Sequence, residues 1–246
     1  MSRYEVFLST GLPPHSYLNQ LPAVQWLQQG GRLVFEAPVT FLVGENGTGK
    51  STLLEGIAVA LGFNAEGGTR NFRFSTKDTH SELGPLLTVS RQRVVKDGFF
   101  FRAESFYNVA SYVDEIYEDE LRAHCQTSYG SRSLHQQSHG ESVLALIQNR
   151  FQGGGLYLLD EPEAALSPTR ILTLLGQIHV LVAQKAQFII STHSPILMAY
   201  PGAILYQLSE QGIAQVSYRE TEHFILTKQF LDHPERMLRY LLDENG

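Results

Sequence analysis

The sequence predicts an α/β fold with a mostly parallel central sheet, and three observations support this prediction. The β-branched and aromatic run Val39–Val43 precedes a glycine-rich stretch, which is followed by apolar residues at helical spacing as far as Leu61. Residues 156–159 and 188–192 are further apolar runs that end in polar residues, as strands of a parallel sheet do when both faces are buried. Because parallel sheets bind ligands at the carboxyl ends of their strands, the polar residues there are candidate functional groups.

The glycine-rich stretch, residues 44–52, reads GENGTGKST and fits the phosphate-binding pattern G-x-x-x-x-G-K-[ST]. Glycines allow backbone conformations in which successive N–H groups point at phosphate oxygens, and the next helix adds the positive end of its dipole. We expect Lys50 to reach the β- and γ-phosphates and the Ser51 hydroxyl to coordinate Mg²⁺. The predicted nucleotide-binding residues are Gly44, Glu45, Asn46, Gly47, Thr48, Gly49, Lys50, Ser51 and Thr52.

The composition is that of a soluble globular protein. The 246 residues are 43% hydrophobic and 18% charged. The net charge of −6 does not indicate nucleic-acid binding by the protein as a whole, but it does not exclude a local basic patch. Cys125, the only cysteine, excludes an intrachain disulfide and fits a reducing compartment. With no signal-peptide pattern and no apolar run of 18 residues, we expect a cytoplasmic protein that does not insert into membranes.

Several weaker patterns predict the remaining elements. Asp97-Gly98 is a hairpin signal between residues 86–95 and the apolar run 98–104. Residues 105–150 are predicted to form a small helical subdomain within a single domain that spans 1–246. Near the C-terminus, residues 203–216 predict a hairpin, and residues 224–242 predict one or two helices broken near Pro234.

Two acids and a histidine follow the later buried strands. Asp160 and Glu161 end the run 156–159, where carboxylates are costly without a positive partner. Asp160 is predicted to bind Mg²⁺ directly or through water, and Glu161 to orient or deprotonate the attacking water. His193 follows the next strand and could donate a hydrogen bond to the γ-phosphate. We therefore predict Glu161, His193 and Lys50 as the catalytic residues.

The order of these motifs, with a Ser-His-Gly-Glu turn at 138–141 and an Ala-Ala-Leu turn at 164–166, resembles the ABC-type ATPase superfamily. The resemblance covers about residues 39–206 and is closest to stand-alone bacterial AAA-family ATPases of the ABC/RecF/SMC-like kind. It implies a P-loop NTPase fold with an antiparallel β subdomain and a small helical subdomain. It also implies that Ser138, Gly140 and Glu141 form a signature motif contacting the nucleotide of a second subunit, that 164–167 is the D-loop, and that His193 is the switch histidine.

The chain departs from the family pattern in two places. The signature is not the Ser-Gly-Gly-Gln of transporters, and no Q-loop glutamine is evident, so Glu104 is the candidate for the third metal-contacting residue beside Ser51 and Asp160. Trp26 and Phe35 could stack on adenine, although aromatic residues at such positions more often belong to the core.

The resemblance implies an ATPase that uses ATP and Mg²⁺ and dimerises head to tail on ATP to drive or switch an unknown protein partner. Two alternatives stay open. One is the ATP-binding subunit of a membrane transporter, which the signature and the small helical subdomain disfavour. The other is a DNA repair or defence module, with DNA as a partner.

Overall fold

The computed structural model describes residues 2–70, 82–92, 95, 97–106 and 139–242. Cys125, Ser138 and most of the predicted helical subdomain lie outside the described residues. The strands are β1 (Tyr4–Leu8), β2 (Leu33–Phe35), β3 (Val39–Val43), β4 (Leu87–Arg91), β5 (Gly98–Arg102), β6 (Leu156–Asp160), β7 (Gln187–Ser191), β8 (Ile204–Ser209) and β9 (Gly212–Val216). The helices are α1 (Pro22–Gln28), α2 (Lys50–Ala60), α3 (His139–Arg150), α4 (Pro168–Ala183), α5 (Pro195–Met198), α6 (Glu222–Asp232) and α7 (Pro234–Leu242).

The central sheet has six strands in the order β5-β6-β7-β3-β8-β9. All neighbours are parallel except β8 and β9, which form the antiparallel hairpin predicted around Gly212. β3, β6 and β7 are buried along their whole length, as the continuous apolar runs predicted. The predicted α/β fold with a mostly parallel sheet is therefore confirmed.

A second, three-stranded antiparallel sheet has the order β2-β1-β4. The hairpin predicted at Asp97-Gly98 is wrong, because β4 pairs with β1 while β5 joins the central sheet beside β6. Gly98 is a strand residue rather than a turn residue, and a Cβ there would lie 2.5 Å from the Leu156 carbonyl oxygen. The Asp97 carboxylate accepts hydrogen bonds from Arg150 and Tyr157, so this dipeptide anchors the start of β5.

Two apolar layers cover the central sheet. Because side chains alternate along a strand, Phe41 and Tyr157 face one layer with α3 and α4, whereas Leu42 and Leu158 face the other with α1 and α2. Ser167 caps α4, since its hydroxyl accepts a hydrogen bond from the Arg170 N–H. Each layer thus packs helices against one face of the sheet.

The register of the sheet sets the position of the candidate site. Arg102 pairs with Asp160, and Asp160 with Ser191, so the carboxyl ends of β5, β6 and β7 lie at one rim. β3 lies next to β7 and leads into the glycine-rich loop at the same rim. Within the described part of the chain, no helix combines the length and apolar character needed to cross a bilayer.

Candidate nucleotide site

The glycine-rich loop joins β3 to α2 through three glycines in left-handed backbone conformations. Gly44, Gly47 and Gly49 have φ angles of +140°, +82° and +95°. At Gly44 there is also no space for a side chain, because a Cβ would lie 2.2 Å from the Leu208 carbonyl oxygen in β8. The first glycine is therefore fixed both by its conformation and by the approach of a neighbouring strand.

Lys50, the first residue of α2, is 4% exposed. Its ammonium donates a hydrogen bond of 2.9 Å to the Glu45 carbonyl oxygen, which also accepts one of 2.8 Å from the Thr48 hydroxyl. Burial lowers the pKa of Lys50, and the carboxylates of Glu161 and Asp160 act in the opposite direction. The lysine thus places a positive charge at the helix N-terminus, where an anion is favoured.

Ser51 and Asp160 join the loop to the acidic end of β6. The Ser51 hydroxyl donates a hydrogen bond of 3.0 Å to Asp160 Oδ1, and Asp160 is 5% exposed. Burial raises the pKa of the Asp160 carboxyl to about 6, although Arg102, with Nε 3.8 Å from Oδ2, lowers it. A hydroxyl and a carboxylate in contact beside a lysine supply the hard oxygen ligands that Mg²⁺ prefers, so these residues fit the predicted metal.

Glu161 and His193 face each other at the same rim. Glu161 has a φ angle of +49°, which is uncommon for a residue with a side chain, and its N–H donates to the Ser191 carbonyl oxygen at 3.0 Å. Its Oε1 lies 3.5 Å from His193 Nε2. Burial lowers the pKa of His193, Lys50 lowers it further, and Glu161 raises it. This strained backbone marks Glu161 as a functional candidate.

Glu163 is a residue that the sequence did not single out as a site residue. Its Oε1 accepts hydrogen bonds from the Thr192 hydroxyl at 2.6 Å and from the His193 N–H at 2.7 Å. Burial raises the pKa of the Glu163 carboxyl, while these hydrogen bonds lower it. Glu163 therefore holds the backbone of the segment that carries His193.

A cavity of about 430 Å³ lies at this rim. Its walls include Leu21, Asn46, Gly47, Gly49, Lys50, Ser51, Thr52, Glu104, Glu161 and His193. The structure thus brings most of the predicted loop residues together with Glu161 and His193. Leu21, which the sequence did not suggest, also lines the cavity. Glu104 belongs to this wall, where its carboxylate is 85% exposed and lies 3.5 Å from Arg102 Nη2.

Two of the predicted signature residues, Gly140 and Glu141, lie outside this cavity wall. Gly140 is in the first turn of α3, and a Cβ on it would lie 2.7 Å from the Ala165 carbonyl oxygen. Glu141 forms an ion pair of 3.0 Å with Arg170 in α4. The signature turn therefore packs against the predicted D-loop, and the third signature residue, Ser138, is not among the described residues.

The two candidate adenine contacts belong to the core. Phe35 is fully buried in β2 and lies edge-on to the Tyr206 ring, with centroids 6.3 Å apart. Trp26 packs in α1 against Gly31 and Gly212, where added Cβ atoms would lie 2.3 Å and 2.5 Å from its ring. Neither aromatic residue forms part of the cavity wall, because both fill the apolar layer around α1.

The chain is similar to several known proteins and domain families. An AAA domain model matches residues 24–142, and a second AAA domain model, whose description refers to the AbiEii toxin of a type IV toxin–antitoxin system, matches residues 121–199. An uncharacterized ABC transporter ATP-binding protein of Haemophilus influenzae is 27% identical over 228 residues, 84% of each chain. Structural maintenance of chromosomes protein 6 of Takifugu rubripes is 33% identical over 69 residues, which cover 28% of this chain and 6% of that protein.

The fold has solved counterparts. A structure of the ATP-binding cassette of an ABC transporter, 16% identical, covers 98% of this chain and 99% of its own, with a TM-score of 0.52. The fold and the arrangement of the loop, acids and histidine define the class of P-loop nucleoside triphosphatases. Within that class, the chain is similar to members of the ABC-type ATPase superfamily.

Proposed function

We propose that this protein binds ATP with Mg²⁺ in the cavity above the glycine-rich loop and hydrolyses it there. One observation carries the proposal: Lys50, the Ser51–Asp160 pair and the Glu161–His193 pair meet at one rim of the sheet. The ATPase activity that the superfamily implies needs a phosphate anchor, metal ligands and a group that acts on water. These three functions have separate residues here.

Each residue has a definite role in this proposal. The N–H groups of residues 44–50 and the Lys50 ammonium bind the phosphates, and Ser51 and Asp160 hold Mg²⁺. Mg²⁺, when bound, neutralises charge that develops on the phosphate oxygens. Glu161 accepts a hydrogen bond from the attacking water and takes its proton, and His193 Nε2 donates a hydrogen bond to the γ-phosphate. Glu104 is the further residue that contacts the metal or the water.

We propose that the active form is an ATP-dependent homodimer. Gly140 and Glu141 lie outside the cavity of their own subunit, so a second copy in a two-fold arrangement is needed to bring the signature turn to a nucleotide. Ser138, Gly140 and Glu141 of one subunit then contact the γ-phosphate held by the loop of the other. The whole of 1–246 acts as one ATPase domain, with a small helical subdomain within about 105–150.

The variant Glu161→Gln tests both parts of the proposal. The amide keeps the shape of the carboxylate but does not accept a proton, so ATP hydrolysis should fall about 10²- to 10⁴-fold while ATP binding is kept. The trapped nucleotide should then hold two subunits together, giving a dimer in light scattering with Mg²⁺ and ATP and a monomer without them. Lys50→Ala is the control, which should lose ATP binding and stay monomeric. Hydrolysis by Glu161→Gln at the wild-type rate contradicts the catalytic assignment.

The cellular location and the partner of the ATPase are a separate part of the proposal. We place the ATPase in the cytoplasm, since a single cysteine fits a reducing compartment, and propose that ATP-driven dimerisation drives or switches another protein. The similarity to an ABC transporter ATP-binding protein favours a transporter subunit as the second candidate. The match to part of a chromosome-maintenance protein favours a DNA-linked role.

Two measurements separate these roles. A DNA-linked ATPase should hydrolyse ATP faster when duplex DNA is added, and the stimulation should fall steeply as salt rises. A transporter subunit should purify from membranes with a membrane protein and be indifferent to DNA.

A further inference from the structure

A second histidine, His223, contacts the side of the His193 ring that carries Nδ1. His223 Nε2 is 2.9 Å from His193 Nδ1, and the two ring centroids are 5.1 Å apart. His223 is the second residue of α6, and this helix starts at a fixed place because the buried Thr221 hydroxyl accepts a hydrogen bond from the Phe224 N–H. The sequence places the two histidines thirty positions apart and gives no sign of this contact.

A hydrogen bond between two ring nitrogens requires one donor and one acceptor. His193 Nε2 makes no hydrogen bond within the described residues, but it lies 3.5 Å from Glu161 Oε1. Because a carboxylate can only accept, this placement favours a proton on Nε2 of His193. A neutral ring with its proton on Nε2 has a lone pair on Nδ1. The bond of 2.9 Å is then satisfied only if His223 Nε2 is the donor.

The surroundings favour the neutral form of both rings. Burial lowers the pKa of His223, Glu45 and Glu222 raise it, and Lys50 lowers it. The N-terminal turn of α6 also opposes a positive charge, because the positive end of the helix dipole lies there. Two neutral rings in contact fix each other's tautomers, since each ring then has a single N–H.

We propose that His223 is a positioning residue that fixes His193 in the tautomer with its proton on Nε2, directed at Glu161 and at the γ-phosphate. The proposal rests on the proposed ATPase function for its kinetic consequence, but the tautomer itself is a property of the protein alone. Without the His223 donor, the His193 ring can place its proton on Nδ1 or rotate, and it then presents a lone pair to the phosphate.

Nitrogen NMR on the protein labelled with ¹⁵N-histidine tests the tautomer without nucleotide. At neutral pH, long-range proton–nitrogen correlations should show both rings with the proton on Nε2, with assignments from His193→Gln and His223→Gln. In His223→Leu, the His193 pattern should shift towards a mixture of tautomers. A proton on Nδ1 of His193 in the wild type, or an unchanged pattern in His223→Leu, overturns the proposal even if the protein proves not to hydrolyse ATP.

Kinetics test the consequence. His223→Leu should lower kcat about tenfold with little change in KM, whereas His223→Gln, whose amide can donate to Nδ1, should stay within about threefold of the wild type. His179→Gln is the matched control, because His179 contacts Tyr200 instead of the cavity, and it should leave kcat unchanged. Equal losses in His223→Leu and His223→Gln would mean that only packing matters, which overturns the proposal.

A double variant shows whether His223 acts through His193. His193→Ala with His223→Leu should lose no more activity than His193→Ala alone, because a positioning residue has nothing left to position. Additive losses would overturn the proposal.

Discussion

Arg102 is a largely buried cation that contacts two carboxylates of the site region, and its removal gives the sharpest stability prediction. Its Nη1 lies 2.7 Å from Glu55 Oε2 in α2, and its Nε lies 3.8 Å from Asp160 Oδ2. The side chains of Arg102, Glu55 and Asp160 are only 18%, 9% and 7% exposed. Arg102→Met would leave both carboxylates buried without this cation, which costs about 3–5 kcal/mol because they lose attraction but not their desolvation.

The assay is chemical and thermal unfolding of the purified protein, followed by circular dichroism. For a chain of this length, a loss of 3–5 kcal/mol corresponds to a fall in Tm of about 6–20 °C. Arg32→Met is the matched control, because Arg32 pairs with Glu5 at a similar 2.8 Å but is 59% exposed, so about 0–1 kcal/mol is expected. Equal losses in the two variants would refute the reasoning, since burial would then not determine the value of the pair.

Two further pairs of variants test the glycine-rich loop and the segment that carries His193. Gly44→Ala should cost about 1–3 kcal/mol and weaken ATP binding at least about tenfold by calorimetry, because φ is +140° and the Leu208 carbonyl oxygen blocks the methyl group. Gly176→Ala in α4, where the space is open, should instead be neutral or stabilising. Glu163→Ala should lower kcat about tenfold because the His193 N–H loses its acceptor, whereas Glu163→Gln should stay within about threefold of the wild type. An undiminished rate in Glu163→Ala would contradict the anchoring role.

The sequence predicted those parts of the fold whose signals are local. The loop at 44–52 and the buried strands β6 and β7 each carry their pattern within a few residues. The sequence was a poorer guide to which distant strands pair with each other. Asp97-Gly98 has the local chemistry of a turn, but the continuous apolar run after it fits a buried parallel strand, and burial against β6 determined the outcome.

In the candidate site, too, the residues with a local sequence signal could be predicted and those defined by distant contacts could not. Lys50, Ser51, Asp160, Glu161 and His193 could be proposed because each follows a recognisable strand or loop and parallel strands share a rim. Arg102, Glu163 and His223 could not, because their roles depend on which distant group each one touches. For Arg102 alone there was a usable signal, since a cation at the end of an apolar strand also needs a partner.

Two separate parts of the chain hold His193. One of them also packs against Gly140, so a contact with a second subunit could change the position of His193 beside the nucleotide. Glu163 holds its backbone N–H from the segment after β6, and His223 holds its ring from α6. The segment that carries Glu163 also carries Ala165, whose carbonyl oxygen leaves no space for a side chain on Gly140. A shift of the signature turn against a second subunit would therefore displace the segment that contains Glu163. Because Glu163 accepts from the His193 N–H directly, that shift would change the position of the switch histidine through packed atoms rather than through a flexible loop.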